Sequence, residues 1–205
     1  MNDTRIDPNH SDTRGTVVSV NLSERKTVRK TRGTHGTLVV DRGFEGDAHA
    51  GDWHRQVSLL ARESIDEMRA KGLDVDAGDF AENITTEGID LMTLPLGSII
   101  HVGDDVVLEV SQIGKTCHTR CAIYHQAGDC VMPREGIFAV VRTPGDVNSG
   151  DVIEVVKLGD GRCDRSPEDA IKESEEVRAA NLCKKVAALG SGAEAAEGAT
   201  ASDKE

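Results

Sequence analysis

Ser98-Ile-Ile-His-Val102, Gly103-Asp104 and Asp105-Val-Val-Leu-Glu-Val-Ser-Gln-Ile113 form the stretch whose reading decides the fold class. Two β-branched runs are divided by a short glycine-containing turn, which is the signature of successive strands rather than of a helix. Working outward, the same grammar recurs in Gly15–Leu22, Gly36–Val40, Gln56–Leu60, Gly136–Arg142 and Asp151–Val156. Further turns stand at Pro144-Gly145 and Gly150-Asp151. Many short strands with such turns predict an antiparallel β-barrel or sandwich. Ala61, Ile65 and Met68 recur at helical spacing in Ala61–Lys71, and Gly72 supplies a stop, so one early helix is expected.

Past Val156 the composition changes. Ser166-Pro167-Glu168-Asp169 reads as a capping serine, a proline at the first helical position and acids in the first turn. That helix is expected to run to about Leu189 and end at Gly190, with Ala179, Leu182, Val186 and Leu189 as an apolar stripe that packs on its own domain or binds a partner. The expected organisation is a disordered 1–13, a β-barrel domain over 14–157, a helical appendage over 158–189 and a disordered tail over 190–205.

Composition narrows the function. The 205 residues carry 24 Lys+Arg and 36 Asp+Glu, a formal charge of −12. General nucleic-acid binding needs clustered cations and is not expected. No apolar run reaches the roughly 18–20 residues of a membrane span, and the polar start lacks a signal-peptide core, so a soluble, cytoplasmic protein is expected. Five cysteines, an odd number, fit reduced thiols better than a disulfide framework. Positive charge gathers in Glu24-Arg-Lys-Thr-Val-Arg-Lys-Thr-Arg32, which reads as a solvated hairpin loop or as a phosphate-facing one.

Two segments concentrate chemistry. Gly43-Phe-Glu-Gly-Asp-Ala-His-Ala-Gly-Asp-Trp-His-Arg-Gln-Val57 holds two Gly-Asp pairs, two histidines and the single Trp. Its glycines let backbone approach a ligand, while Asp47, His49, Asp52, His54 and Arg55 supply donors, acceptors or metal ligands. The competing reading is a turn whose Asp and His satisfy local backbone groups. Gly114-Lys-Thr-Cys-His-Thr-Arg-Cys-Ala-Ile-Tyr-His-Gln-Ala-Gly-Asp-Cys130 follows the strand ending near Ile113. There Lys115, His118 and Arg120 surround Cys117, and nearby cations raise the thiolate fraction that a nucleophile, sulfur carrier or metal ligand requires. Cys121 could serve as a resolving thiol. Cys117, Cys121, His125 and Cys130 also leave open a zinc site, hence a non-catalytic zinc-binding interaction module. Cys163 and Cys183 read as bystanders. Gly78–Leu91, with Glu82, Asn83, Thr85 and Thr86, reads by itself as loop and strand.

Taken in order, Gly43–Leu60, Gly78–Ile100, Leu108–Cys117 and Arg134–Ile153 resemble the MOSC domain, the family named for the C-terminal domain of molybdenum cofactor sulfurases. The resemblance spans about 14–157 and implies a distorted β-barrel. It also implies a cysteine, here Cys117, that carries sulfur as a persulfide or ligates molybdenum of the pterin cofactor; soft thiolate suits both. The short form resembles stand-alone bacterial members tied to molybdenum cofactor metabolism. Larger relatives add a pyridoxal-phosphate-dependent desulfurase or an N-terminal β domain, and pyridoxal phosphate is not expected here. The resulting expectation is a molybdopterin-binding or sulfur-carrier protein with Cys117 as the reactive residue. Lys115, His118, Arg120, Asp47, His49, His54, Arg55, Glu82 and Asn83 would line the cofactor, with a cysteine desulfurase or a molybdenum enzyme as partner.

Overall fold

The computed structural model describes residues 13–116, 124, 128 and 130–194, with the side chains of 189–194 excepted. Eleven strands are seen among the described residues: β1 (Arg14–Leu22), β2 (Thr31–Gly33), β3 (His35–Val39), β4 (Gly43–Phe44), β5 (Val57–Ala61), β6 (Ile84–Glu87), β7 (Ile99–Val102), β8 (Val106–Ile113), β9 (Ile137–Thr143), β10 (Gly145–Asn148) and β11 (Val152–Lys157). The helices are α1 (Arg62–Ala70), the single turn α2 (Met132–Glu135) and α3 (Glu168–Glu194).

Seven strands close on themselves in the order β11-β7-β8-β9-β5-β6-β1, with β1 returning to β11, and β2 adds to the outside of β1. Closure removes the sheet edges that an open sheet would expose to foreign strands. The expected barrel is therefore present, with one departure from an antiparallel arrangement. β5 and β6 run parallel, Leu59 opposite Ile84 and Ala61 opposite Thr86. A parallel neighbour needs a crossover, and α1 with the loop after it provides one.

The barrel fills with aliphatic side chains, among them Val17, Leu59, Ile84, Ile100, Leu108, Ile113, Ile137 and Ile153. A small sheet, β10-β3-β4, contributes Leu38, Phe44 and Val147 to the same core. β5 is buried along its whole length because both its faces are covered. Val57 and Leu59 point into the barrel, while Leu60 joins a second cluster with Ile65 and Met68 of α1, Met132 of α2 and Phe138 of β9. The outward faces of β5 and β9 thus become the floor of a second layer, and the functional residues collect there.

α3 packs along β8, but not as the periodicity predicts. Ala179, Leu182 and Val186 face solvent, Val186 at 62 % exposure. The buried positions are Ala170, Ser174 and Asn181. The reason is hydrogen bonding: Ser174 Oγ accepts the Ile113 N–H (3.0 Å), and Asn181 Nδ2 donates to the Arg134 carbonyl (2.8 Å). The docking face mixes these polar contacts with Ile171 and Val177, which pack against the barrel core, so it lies to one side of the stripe that periodicity picks out. Ser166 likewise sends its hydroxyl to the Ser111 carbonyl of β8. The helix also continues through Gly190 to Glu194, since an interior glycine costs only about 1 kcal/mol relative to alanine. Leu182→Ser and Val186→Ser should each change unfolding free energy by less than about 0.5 kcal/mol in urea titration, as exposed positions do; losses above 1 kcal/mol would mean the stripe is covered.

Candidate functional site

The hairpin loop between β1 and β2 does reach solvent with Arg25 and Lys26, but Lys30 turns inward and its side chain is 1 % exposed. Its ammonium donates to Asp47 Oδ2 and lies 3.5 Å from His49 Nδ1. Asp47, itself buried, accepts two further bonds, from Ser23 N–H at Oδ2 (3.0 Å) and His49 N–H at Oδ1 (2.9 Å). Burial alone would raise the Asp47 carboxyl, yet the bonds from His49 and Lys30 outweigh it and hold the group well below the usual carboxylate range. Burial also works against the charge on Lys30, lowering its pKa despite Asp47.

Lys30 and His49 open onto a cavity of about 270 Å³ on the outer face of β5 and β9, with Trp53, Arg55, Ser58, Ala81, Asn83, Lys115, Thr116, Met132 and Phe138 as its other walls. Arg55 lies over the Trp53 ring at 4.7 Å and the Phe138 ring at 5.7 Å, and Lys115 Nζ is 5.6 Å from Phe138 on the same ring system. Ring faces hold these cations without neutralising them. Asp47 lies behind Lys30, so the cavity presents three cations and a histidine in a chain whose net charge is −12. Arg55 Nε is buried and donates to no acceptor among the described residues. An orphaned guanidinium donor of this kind has the chemistry to hold an anion.

Two expected site residues have supporting positions. Glu82 is fully buried and does not line the cavity. Its Oε1 accepts Gly78 N–H (2.6 Å) and the Thr85 hydroxyl (2.8 Å), and burial raises its pKa. Gly78 in turn accepts the Lys30 N–H at its carbonyl (2.9 Å), so Glu82 fixes the turn against which the Lys30 backbone is held. Asn83 reaches the wall, but its Oδ1 accepts from Ser58 Oγ (2.9 Å) and its N–H pairs with the Ser58 carbonyl (2.8 Å). His54 points elsewhere, into a depression shared with Thr116, Asp169 and Glu173, and its Nε2 meets Gln112 Oε1 at 2.9 Å. Its pKa is lowered by burial. Asp52 is paired with Arg165.

The structure therefore brings together Asp47, His49, Arg55, Asn83 and Lys115, adds Lys30, Ser58 and Phe138, and sets His54 and Glu82 aside. Lys30 was one of five basic residues in its loop, and what singles it out is Asp47, seventeen residues away. Cys117, His118, Arg120, Cys121 and His125 lie outside the described residues. The described chain reaches the cavity wall at Thr116, and Cys117 is the next residue. Among the described residues the one grouping of potential metal ligands is Glu109, Cys163 and Asp164, and the Arg142 guanidinium already donates to both acids. Burial raises the Cys163 thiol, which disfavours its thiolate. A wider groove of about 640 Å³ between α1 and α3 is lined by none of the expected site residues. No helix among the described residues is long and apolar enough to cross a membrane.

Known proteins share this architecture. The YuaD protein of Bacillus subtilis superposes with a TM-score of 0.60 at 19% identity, over 71% of this chain and 97% of its own. YiiM of Geobacillus stearothermophilus gives 0.54 at 22%, over 72% and 77%, and YiiM of Escherichia coli 0.53 at 20%, over 77% and 75%. At such identities the likeness concerns the fold. No curated protein matches this chain in sequence. The family model described as MOSC domain matches residues 45–154, from the Asp47 loop through β11, and the chain is therefore a member of the MOSC domain family.

Proposed function

We propose that the protein binds a molybdenum–pterin type cofactor, or receives its sulfur, at the cavity walled by Lys30, Arg55 and Lys115, with Cys117 as the reactive thiol. Family membership supports a role related to the molybdenum cofactor. The observation that carries the finer reading is the convergence of three cations and an unpartnered Arg55 Nε on a cavity whose wall meets the chain one residue before Cys117. The donor set fits an anionic ligand: Lys30, Lys115 and Arg55 supply the countercharge, Arg55 and Lys115 being held beside the Phe138 ring. When bound, the cofactor would supply oxygen-atom or sulfur chemistry at molybdenum.

The chain's own contribution is electrostatic and positional. Lys115 adjoins Cys117 through one residue and favours the thiolate. Asp47 opposes the burial that lowers the Lys30 pKa, and Glu82 and Asn83 hold the backbone of the two walls. Cys117 thiolate can ligate soft molybdenum or hold a terminal sulfur. A cysteine desulfurase or a molybdenum enzyme is the partner this chemistry calls for.

Protein purified from a molybdenum-replete host should carry molybdenum and pterin near one per chain, and Cys117→Ser should retain less than a tenth of the molybdenum. For sulfur receipt, intact mass after exposure to a cysteine desulfurase should rise by one sulfur atom in wild type and not in Cys117→Ser. Negligible occupancy together with no mass gain in the wild type would sink the proposal. Stoichiometric zinc lost on mutating Cys121 or Cys130 would favour the zinc module instead.

A further inference from the structure

We infer that the groove between α1 and α3, apart from the cationic cavity, binds a small organic amine with an apolar body, whose ammonium group pairs with the buried Glu135 carboxyl. The groove has a volume of about 640 Å³, within the roughly 300–1,000 Å³ of small-molecule sites. Ala61, Leu91 and Met92 give it an apolar wall, and a few polar side chains converge on that wall. Such a combination is the usual make-up of a ligand site.

Glu135 is the group that lacks a partner. It closes the single turn α2 and lines the groove, with its side chain only 4 % exposed. Its Oε2 is buried and has no hydrogen-bond partner among the described residues. Its Oε1 has Lys184 Nζ at 3.7 Å and the Arg134 guanidinium at 3.9 Å, both beyond hydrogen-bond length. A buried carboxyl oxygen without a donor is costly, and a ligand that brings one removes the cost. Burial raises the Glu135 pKa and Glu67 of α1 adds to that, whereas the Ser64 hydroxyl, Lys184 and Arg134 act the other way. A bound ammonium works in the same sense as Lys184 and also supplies the missing donor.

Other polar groups around the groove are already engaged. Asn181 Nδ2 donates to the Arg134 carbonyl (2.8 Å), Asp90 Oδ2 accepts from Lys185 Nζ (2.5 Å), and Glu63 Oε1 accepts Gly88 N–H (2.8 Å). Glu63, Glu67, Asp90 and Glu135 outnumber Lys184 and Lys185, so the local field favours a cation. That cation is organic rather than a bare metal ion. Among the described residues no three ligand atoms gather in the groove as a metal centre requires, and the apolar wall needs a body to cover it.

Phenethylamine, phenethyl alcohol and hydrocinnamate share a phenylethyl body and differ in the head group. Their binding to the full chain would be measured by calorimetry at pH 7 and about 0.15 M salt, which screens exposed charges, and located by amide NMR shifts. The amine should bind about tenfold or more tightly than the alcohol, the worth of one charge-assisted hydrogen bond, with the carboxylate weakest. Shifts should centre on Ser64, Gly88–Thr93 and Glu135. Glu135→Gln, nearly the same shape without the charge, should bring the amine to within about twofold of the alcohol and leave alcohol binding unchanged. Lys184 is exposed, so Lys184→Met keeps the test valid should Glu135→Gln disturb the fold. It should tighten the amine and not the alcohol, because it removes a like charge. Equal affinities for amine and alcohol in the wild type, or an amine preference that survives Glu135→Gln, would overturn the inference. So would a preference for the carboxylate, weaker amine binding in Lys184→Met, or shifts scattered over the acidic surface away from the groove.

Discussion

Asp47→Ala is expected to lower the unfolding free energy by about 3–5 kcal/mol, the usual consequence of leaving a buried charge without its partner. Three donors lose their acceptor together: the Lys30 ammonium, Ser23 N–H and His49 N–H. Lys30→Met should cost less, about 1.5–3 kcal/mol, the worth of one hydrogen bond to a charged group, because Asp47 keeps its two backbone donors. The order of the two variants is the diagnostic, read by urea titration at pH 7. A Lys30→Met cost equal to or above that of Asp47→Ala would mean that the carboxylate does not organise the loop.

The pH dependence follows from the same contacts. The folded Asp47 carboxyl lies below its unfolded value of about 3.9, so the unfolded chain takes up the proton first as pH falls. Its contribution is therefore intact above about pH 4 and is lost as pH drops through the folded value. The gap between wild type and Asp47→Ala should narrow on acidification below pH 4. Lys30→Met keeps the fold while removing one of the cavity's cations, which makes it the better variant for asking whether cofactor occupancy depends on that charge.

The contrast between Asp47 and Lys30 also shows where sequence reading reaches and where it stops. Strands such as Val106–Ile113 and Ile137–Thr143 are legible because one face must be aliphatic to fill the barrel. β6 is legible only as part of a loop-and-strand stretch, because its Thr85 is buried in a polar layer with Asn21 and Glu82 and no apolar alternation marks its bounds. β2 and β4, of three and two residues, are too short to have a period. The Asp47 loop is legible as a site by its glycine and histidine density. Which of its members face the cavity depends on contacts with segments far away in sequence, Lys30 on one side and Gln112 on the other. The helix stripe is misread for a related reason: α3 is docked by Ser174 and Asn181, whose role is visible only once their acceptors and donors are in place.

Gly78→Ala should cost about 3 kcal/mol or more, whereas Gly46→Ala should cost about 1–2 kcal/mol. Both glycines hold positive φ, +90° and +78°, so both variants incur the left-handed backbone penalty of an L-residue. They differ in surroundings. A Cβ on Gly46 meets nothing within 4 Å, while one on Gly78 falls 2.5 Å from the Lys30 carbonyl oxygen and 3.3 Å from its carbon. Backbone cannot rotate away as a side chain can, so the two segments must separate, and the Lys30 N–H to Gly78 carbonyl bond is lost with them. The Gly78 N–H would also leave Glu82 Oε1, adding a poorly satisfied buried carboxylate to the cost. Because Lys30 is carried on the displaced loop segment, Gly78→Ala should lose bound cofactor or sulfur acceptance even where the chain remains folded at 25 °C. Gly46→Ala should keep both. Thermal unfolding and occupancy measured on the pair separate strain from collision: equal melting temperatures would show that the close approach of Gly78 to Lys30 does not hold this wall of the cavity.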